Sequence, residues 1–311
     1  MKKGGQQMDV SIIFTNNKTY DLIVNAIKSI KEKTQGLAYE IIVVDNSNDY
    51  REIERLNHLR SYGVSVINPQ KDLGFGKGNN LGAEKANGKY VLFLNTDTLL
   101  INNAVYEMFT YINNNPEVGI VGANLYNSDL TPGHSFIKDE KNIRNELKYN
   151  SIYSSLKRFA KRKRDDFNYL SSPLKINGYV CGAALMMSRS NFLAIGGFDQ
   201  DIYMYAEESL LCYKMVHDLG LSIYNVPTAK IIHFGGGSFK ARSLENASDY
   251  IDGTYVYYLK AYGEKTANIM LKAFAKMYMR KSILFCFMDR KKCITYHNLS
   301  LACNNKIKKQ A

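Results

Sequence analysis

Runs of apolar, largely β-branched residues alternate with stretches of helical periodicity through the first half of this chain, and three of the runs end in polar or acidic side chains. VSIIFTN (Val10–Asn16) reads as a buried strand, and Tyr20–Lys33 then repeats Leu22, Ile23, Ala26, Ile27 and Ile30 at helical spacing. Further strands are predicted at 40–46 (EIIVVDN), 64–68, 90–95 and 119–125, with helices at 81–86 and 105–113. Strands without polar alternation need cover on both faces, and alternation with helices provides it, which predicts a mostly parallel α/β sheet flanked by helices. In such sheets ligands bind beyond the carboxyl ends of the strands. That rule gathers Thr15-Asn16-Asn17, Asp45-Asn46-Ser47 and Asn95-Thr96-Asp97 on one rim.

Past this region, residues 126–175 are polar and poorly periodic and read as a loop-rich insertion. Strand character returns at INGYVCGAALMMSRS (176–190). A turn leads into a helix within 196–220, and a pair of strands follows within 221–238, ending at His233. Beyond about residue 239 the pattern is helical and basic, and no internal repeat is present. The chain therefore divides into a domain over 8–240 and a basic helical region over 241–311.

The 311 residues carry a net charge of +12, unevenly placed. Residues 251–311 hold twelve Lys/Arg against three Asp/Glu, and a second basic run, KRFAKRKR, spans 157–164. Such clusters suit anionic lipid, nucleic acid or phosphorylated substrates, or are simply solvated faces. The five cysteines, Cys181, Cys212, Cys286, Cys293 and Cys303, show no CxxC spacing, which argues against a zinc site or disulfide framework and fits a reducing cytosol. The N-terminus lacks the pattern of a signal peptide, and no uncharged apolar run reaches the ~20 residues a membrane span needs. The expectation is a soluble chain, or one lying on a membrane surface.

Several residues have the right chemistry for a site. Asp97 is a lone carboxylate at a strand end beside the Asn95 amide; Mg2+ or Mn2+ takes oxygen ligands and commonly keeps only one or two protein carboxylates. Asp45 can accept hydrogen bonds from a ribose or base, or cap the next helix. The glycines of GFGKGNNLG (74–82) match neither the dinucleotide fingerprint nor a P-loop; they read as letting backbone approach a ligand, with Asn79 and Asn80 adding neutral hydrogen bonds. Glu207 and Glu208 open a helix, where the dipole stabilises them and where one could serve as general base. His233 precedes Gly235-Gly236-Gly237-Ser238, a glycine turn that could fold over a ligand.

In order, SIIFTNN, EIIVVDNSND, GFGKGNN-x-G, YVLFLNTDT, GYVCGAALMMSR, GGFDQDIYMYAEESLLCYK and HFGGGS resemble the inverting family 2 glycosyltransferases of the GT-A fold, closest to a rhamnosyltransferase-like branch that builds cell-surface polysaccharides. The resemblance spans roughly residues 9–240. It implies a Rossmann-like GT-A domain with a C-terminal helical extension. It also implies transfer of a sugar from a nucleotide-diphosphate donor, L-rhamnose from dTDP-rhamnose or another hexose from a UDP-sugar, to a lipid-linked or glycan acceptor. Thr15, Asn17, Asp45, Asn46, Asn79, Asn95 and Asp97 would line the nucleotide site, and Asp97 with His233 would hold Mg2+ or Mn2+. Glu208 falls at the position of the catalytic base, with the family's usual Asp replaced by Glu. Glu207, Gly182 and Ala183 would meet the acceptor.

In the tail, Met270, Phe274, Met277, Leu284 and Met288 share one helical face, interrupted by Lys281. That face could rest on an anionic membrane, placing the enzyme peripherally on the cytoplasmic side of the cell membrane, or pack on the catalytic domain or in a homodimer. A nucleic-acid-binding role finds no supporting signature, and a nucleotidyltransferase should carry its glycine-rich loop after the first strand. A non-catalytic nucleotide-sugar binder is the other reading.

Overall fold

Alternate residues of each central strand point to opposite faces, and the apolar runs supply both faces with core. The computed structural model describes residues 8–151, 164–235 and 244–310. In it β1 (Val10–Asn16), β2 (Tyr39–Asp45), β3 (Val64–Ile67) and β4 (Tyr90–Leu94) pair in parallel in the order β3-β2-β1-β4. The sheet continues through β10 (Ala184–Ser188), β6 (Val118–Tyr126), β11 (Ser222–His233) and β5 (Thr98–Leu100), with β8 (Leu174–Ile176) beside β11. β10, β5 and β8 run against their neighbours, and the rest are parallel. The sheet is therefore mostly parallel, as the sequence predicts.

Val10, Ile12 and Phe14 pack with Leu92 and Leu94 against α1 (Tyr20–Lys33) and α4 (Ala104–Asn114). Ile13, Val91 and Phe93 face α3 (Gly74–Lys85), α6 (Arg189–Ala194) and Leu211, Cys212 and Met215 of α7 (Glu207–His217). Each such buried side chain stabilises the fold by roughly 1.5–3 kcal/mol before chain entropy is counted. The shorter α2 (Tyr50–Asn57) follows β2.

Two predicted elements differ. The glycine-rich stretch is helix from Gly74, not a loop ahead of a helix at 81. A Cβ on Gly82 would come 2.5 Å from Ile13 Cγ2, and one on Gly78 would come 2.8 Å from Thr15 Cγ2. These glycines let α3 lie directly on β1; they bring helix to sheet rather than backbone to a ligand. Asn80 serves the same packing, since its amide donates to Phe198 O (2.8 Å) and accepts from Phe198 N (2.9 Å). The strand pair predicted within 221–238 is one twelve-residue strand, β11, whose pairing with β6 shifts register between Val226 and Lys230. Pro227 in that interval cannot donate to the ladder, and the irregularity absorbs it.

The insertion carries β7 (Phe136–Ile137), which pairs with β9 (Tyr179–Val180), and α5 (Ile143–Tyr149). Most of the basic run at 157–164 lies outside the described residues, as do Gly236, Gly237 and Ser238.

By packing, the chain forms two units: Met1–Asp139, Asp165–Asp199 and Leu211–Gly235, which hold the sheet, and Glu140–Arg164, Gln200–Leu210 and Gly236–Ala311. In the second unit α8 (Leu244–Tyr262), α9 (Glu264–Phe285) and α10 (Arg290–Gln310) bury Tyr257, Tyr258, Phe274, Leu299 and Cys303. Tyr257 Oη donates to Lys141 O at 2.8 Å, tying α8 to the chain ahead of α5. Met270 and Phe274 are wholly buried in this unit, and Lys281 is 3% exposed with its Nζ 3.3 Å from Asn150 Oδ1. The first half of the predicted apolar face is thus core, whereas Leu284 and Met288 are exposed. Among the described residues no helix is long and apolar enough to cross a membrane.

Candidate active site

The parallel register sets Asn16 of β1 opposite Asp45 of β2, so two of the predicted polar strand ends meet. Asn16 Nδ2 donates to Asp45 Oδ1 (3.1 Å) and Glu52 Oε1 (3.0 Å), and its Oδ1 accepts from Thr19 Oγ1 (2.8 Å). The Thr19 hydroxyl lies 2.9 Å from that of Thr96, which draws in the third strand end. Asp45 is 1% exposed and accepts further from Ser47 N (3.1 Å) and Ser47 Oγ (2.9 Å). It holds its own turn; the cap of α2 is Asp49, whose side chain accepts from Arg51 N.

Two side-chain oxygens on this rim, Thr15 Oγ1 and Asn46 Oδ1, are buried without a hydrogen-bond partner in the protein, although Asn46 Nδ2 donates to Gly74 O at 2.7 Å. Leaving a buried acceptor unpaired costs about 1–3 kcal/mol, so two at one strand edge call for donors from outside the protein, water or a ligand. Asn17, just beyond, is exposed, with Nδ2 3.4 Å from Asp72 Oδ2. Asn79 is buried, and its amide donates to Phe75 O (3.1 Å) within α3.

Asp97 and His233 are brought together by β5, a strand too short for the sequence to announce. β5 pairs antiparallel with β11, placing His233 opposite Thr98, and Phe234 N donates to Asp97 O at 3.0 Å. His233 Nε2 then lies 3.3 Å from Asp97 Oδ1 and 3.5 Å from Asn95 Nδ2. Asn95 N donates to Ala183 O (3.0 Å), so Gly182-Ala183 borders the same corner. Two ligands on adjacent corners of an octahedron with bonds of about 2.1 Å lie roughly 3 Å apart, so Asp97 Oδ1 and His233 Nε2 fit one divalent cation. Among the described residues no group of three or more His, Cys, Asp and Glu could hold a metal, so substrate oxygens and water would have to complete the shell.

Glu207 and Glu208 belong to the second unit at the start of α7. They follow Tyr205 and Ala206, both at φ 70°, where non-glycine residues rarely sit and each costs about 1–3 kcal/mol. The sequence places a turn ahead of this helix but does not signal its left-handed backbone. α8 supports it: the Tyr205 and Tyr250 rings stand edge to face with centroids 6.0 Å apart, and Lys260 Nζ lies 2.8 Å from Asp201 Oδ2. A Cβ on Gly253 would overlap the Tyr205 carbonyl oxygen. The two carboxyls differ in setting. Glu207 is 7% exposed, its Oε2 is buried without a protein partner, and burial followed by the neighbouring Glu208 charge raises its pKa to about 8. Glu208 is half-buried.

The mostly parallel sheet flanked by helices has the GT-A fold. The mannosyltransferase PcManGT from Pyrobaculum calidifontis, solved in complex with GDP-Man and Mn2+, matches with a TM-score of 0.57 at 14% identity over 98% of this chain and 88% of that one. The glycosyl transferase family 2 model matches residues 9–190, and the chain belongs to that family. It is 25% identical to the low-salt glycan biosynthesis hexosyltransferase Agl10 of Haloferax volcanii over 66% of this chain and 61% of that protein. It is 23% identical to the rhamnosyltransferase WbbL of Escherichia coli K12 over 72% of this chain and 83% of WbbL. The chain spans less than two thirds of the length of the first curated relatives it matches, 61% and 46% for two archaeal proteins. The β1, β2 and β4 rim and Gly182-Ala183 fall inside the family match; Glu207, Glu208 and His233 lie beyond it.

Proposed function

We propose that this chain is an inverting glycosyltransferase that moves a sugar from a nucleoside diphosphate to a lipid-linked glycan acceptor at the cytoplasmic face of a membrane, with L-rhamnose from dTDP-rhamnose the first donor to test. The observation that carries the reading is the rim itself: unpaired Thr15 and Asn46 oxygens beside an Asp97–His233 pair with the spacing of two cation ligands. The rhamnosyltransferase relative supports the choice of donor.

On this reading Thr15, Asn17, Asp45 and Asn46 face the nucleoside, Asn95 and Asp97 border the diphosphate, and Gly182-Ala183 borders the acceptor. Asp97 and His233 would hold Mg2+ or Mn2+, which supplies Lewis-acid stabilisation of the charge on the departing diphosphate. Glu208 accepts the proton of the acceptor hydroxyl as that oxygen bonds to the anomeric carbon. The bond from that carbon to the diphosphate oxygen breaks on the opposite side, and one displacement inverts the configuration. Glu207, with a pKa of about 8, is mostly protonated at neutral pH and suits hydrogen bonding to the acceptor rather than proton removal.

The test is a panel of nucleotide sugars scored for nucleoside diphosphate release with synthetic lipid-linked acceptors. Asp97→Ala should abolish both transfer and the Mn2+-dependent part of nucleoside diphosphate binding by calorimetry, with the melting temperature nearly unchanged. Diphosphate binding that ignores both the substitution and excess chelator would refute the metal assignment. Turnover of UDP-sugars alone would replace rhamnose as donor, and donor binding without any transfer would make the chain a binder.

A further inference from the structure

Helix α9 ends in apolar side chains left exposed among the described residues. Ile283 is 64% exposed, Leu284 39%, Phe287 95% and Met288 71%. The α9 backbone turns on past its last residue, with Met288 N and Asp289 N both donating to Phe285 O at 3.1 and 2.9 Å, before α10 begins at Arg290. Ile283 with Phe287, and Leu284 with Met288, are spaced by four, so the four side chains form one strip at the hairpin tip. Single exposed apolar residues are ordinary; a contiguous strip headed by an almost fully exposed Phe is not.

Cations flank the strip. Arg290, Lys291 and Lys292 are exposed in the first turn of α10, and Arg280 is exposed one turn before Leu284. The positive end of a helix dipole disfavours cations in that first turn, yet three stand there and no acid does. Asp289, the only acidic residue in 265–311, accepts from Lys291 N and Lys292 N (3.0 and 3.1 Å) and lies 3.4 Å from Lys292 Nζ, so its charge is largely offset.

We infer that the α9–α10 tip inserts into an anionic lipid surface, with Phe287, Met288, Ile283 and Leu284 among the acyl chains and Arg280, Arg290 and Lys291 at the headgroups. An apolar point within a basic collar has the form of an interfacial anchor, in which apolar burial and attraction to anionic headgroups add. A second copy of the chain fits less well: a two-fold contact through the tip would set the Arg290–Lys292 cations of both copies together, with only Asp289 of each copy to answer them. Nucleic acid would meet the cations but leave the apolar strip in water. The inference gives the lipid-linked acceptor of the proposed function a physical approach, but its test needs no transfer activity.

The chain has no tryptophan, so Phe287→Trp provides a single reporter. With full-length protein, its emission should shift to the blue and be quenched by brominated acyl chains in vesicles of phosphatidylcholine mixed with phosphatidylglycerol, and neither change should occur with phosphatidylcholine alone. Sedimentation with the mixed vesicles should fall about tenfold or more for Phe287→Ser/Met288→Ser and for Arg290→Glu/Lys291→Glu/Lys292→Glu, and salt should weaken it in the wild type. These side chains are exposed, so circular dichroism and the melting temperature should be unchanged. Wild-type sedimentation by both variants would overturn the inference. So would a dimer by light scattering that Phe287→Ser/Met288→Ser dissociates while the wild type ignores vesicles, which would make the tip a self-association surface. Binding to an oligonucleotide but not to vesicles would assign the cations to nucleic acid.

Discussion

Two adjacent carboxyls at the start of α7 carry the same side chain and differ in what surrounds it. Glu207 is buried with an unpartnered oxygen, whereas Glu208 is half-buried, so on the proposed function Glu208 is the carboxyl open to an acceptor hydroxyl. Glu208→Gln keeps shape and loses basicity; turnover is expected to fall by roughly 10²–10⁴ while donor affinity stays, measured by diphosphate release and calorimetry. Glu207→Gln should cost much less, because a neutral amide replaces a largely neutral acid. The reverse ranking would move the base to Glu207. The rim positions of Thr15, Asp45, Asn46 and Asp97 were legible because each lies at or just beyond the end of an apolar strand. What Asn79 meets was not legible, because an amide in a glycine-rich stretch looks the same whatever it faces; in the fold it donates to Phe75 O within α3.

At the scale of elements, glycines decide how closely segments meet. Gly82 lets α3 rest on Ile13, and Gly253 lets α8 take the carbonyl of the strained Tyr205. By propensity alone Gly253→Ala should stabilise α8 by about 0.5–1 kcal/mol. The overlap with rigid backbone argues the opposite, since a carbonyl cannot swing aside as a side-chain end can. The turn at Tyr205-Ala206 must move, and with it the carboxyls that follow. Gly253→Ala should therefore lower kcat while leaving helical content and nucleoside diphosphate affinity near wild type. An unchanged kcat would show that the turn tolerates displacement. Helix α1 and strand β1 were legible to the residue, since their patterns are long and unbroken. β5 was not, because a three-residue strand has no periodicity and exists only through its pairing with β11.

For the whole molecule, the buried Glu207 links stability to pH. Its folded pKa of about 8 lies above the ordinary 4.5, so the folded state holds the proton more tightly than the unfolded chain. The stability this contributes is complete below about 4.5 and is lost as pH rises through about 8. The melting temperature of the wild type should consequently decline across that window more steeply than that of Glu207→Gln, whose amide does not titrate. Parallel curves from scanning calorimetry would mean that Glu207 ionises freely in the folded state. The uneven charge of the chain was legible from composition, but its division was not: Lys281 is core, whereas Arg290, Lys291 and Lys292 are exposed.

The order of strands and helices, the mostly parallel sheet and the polar rim follow from the linear pattern, because a strand covered on both faces must be apolar throughout and must become polar where it leaves the sheet. Three features required the folded chain. The Asp97–His233 corner depends on a pairing between distant segments, the left-handed turn before Glu207 on support from α8, and the apolar tip on which methionines and phenylalanines the helical core had already taken. The first two are contacts between segments far apart in sequence and the third is what such contacts leave exposed, and residue type alone does not encode which partner a side chain will meet.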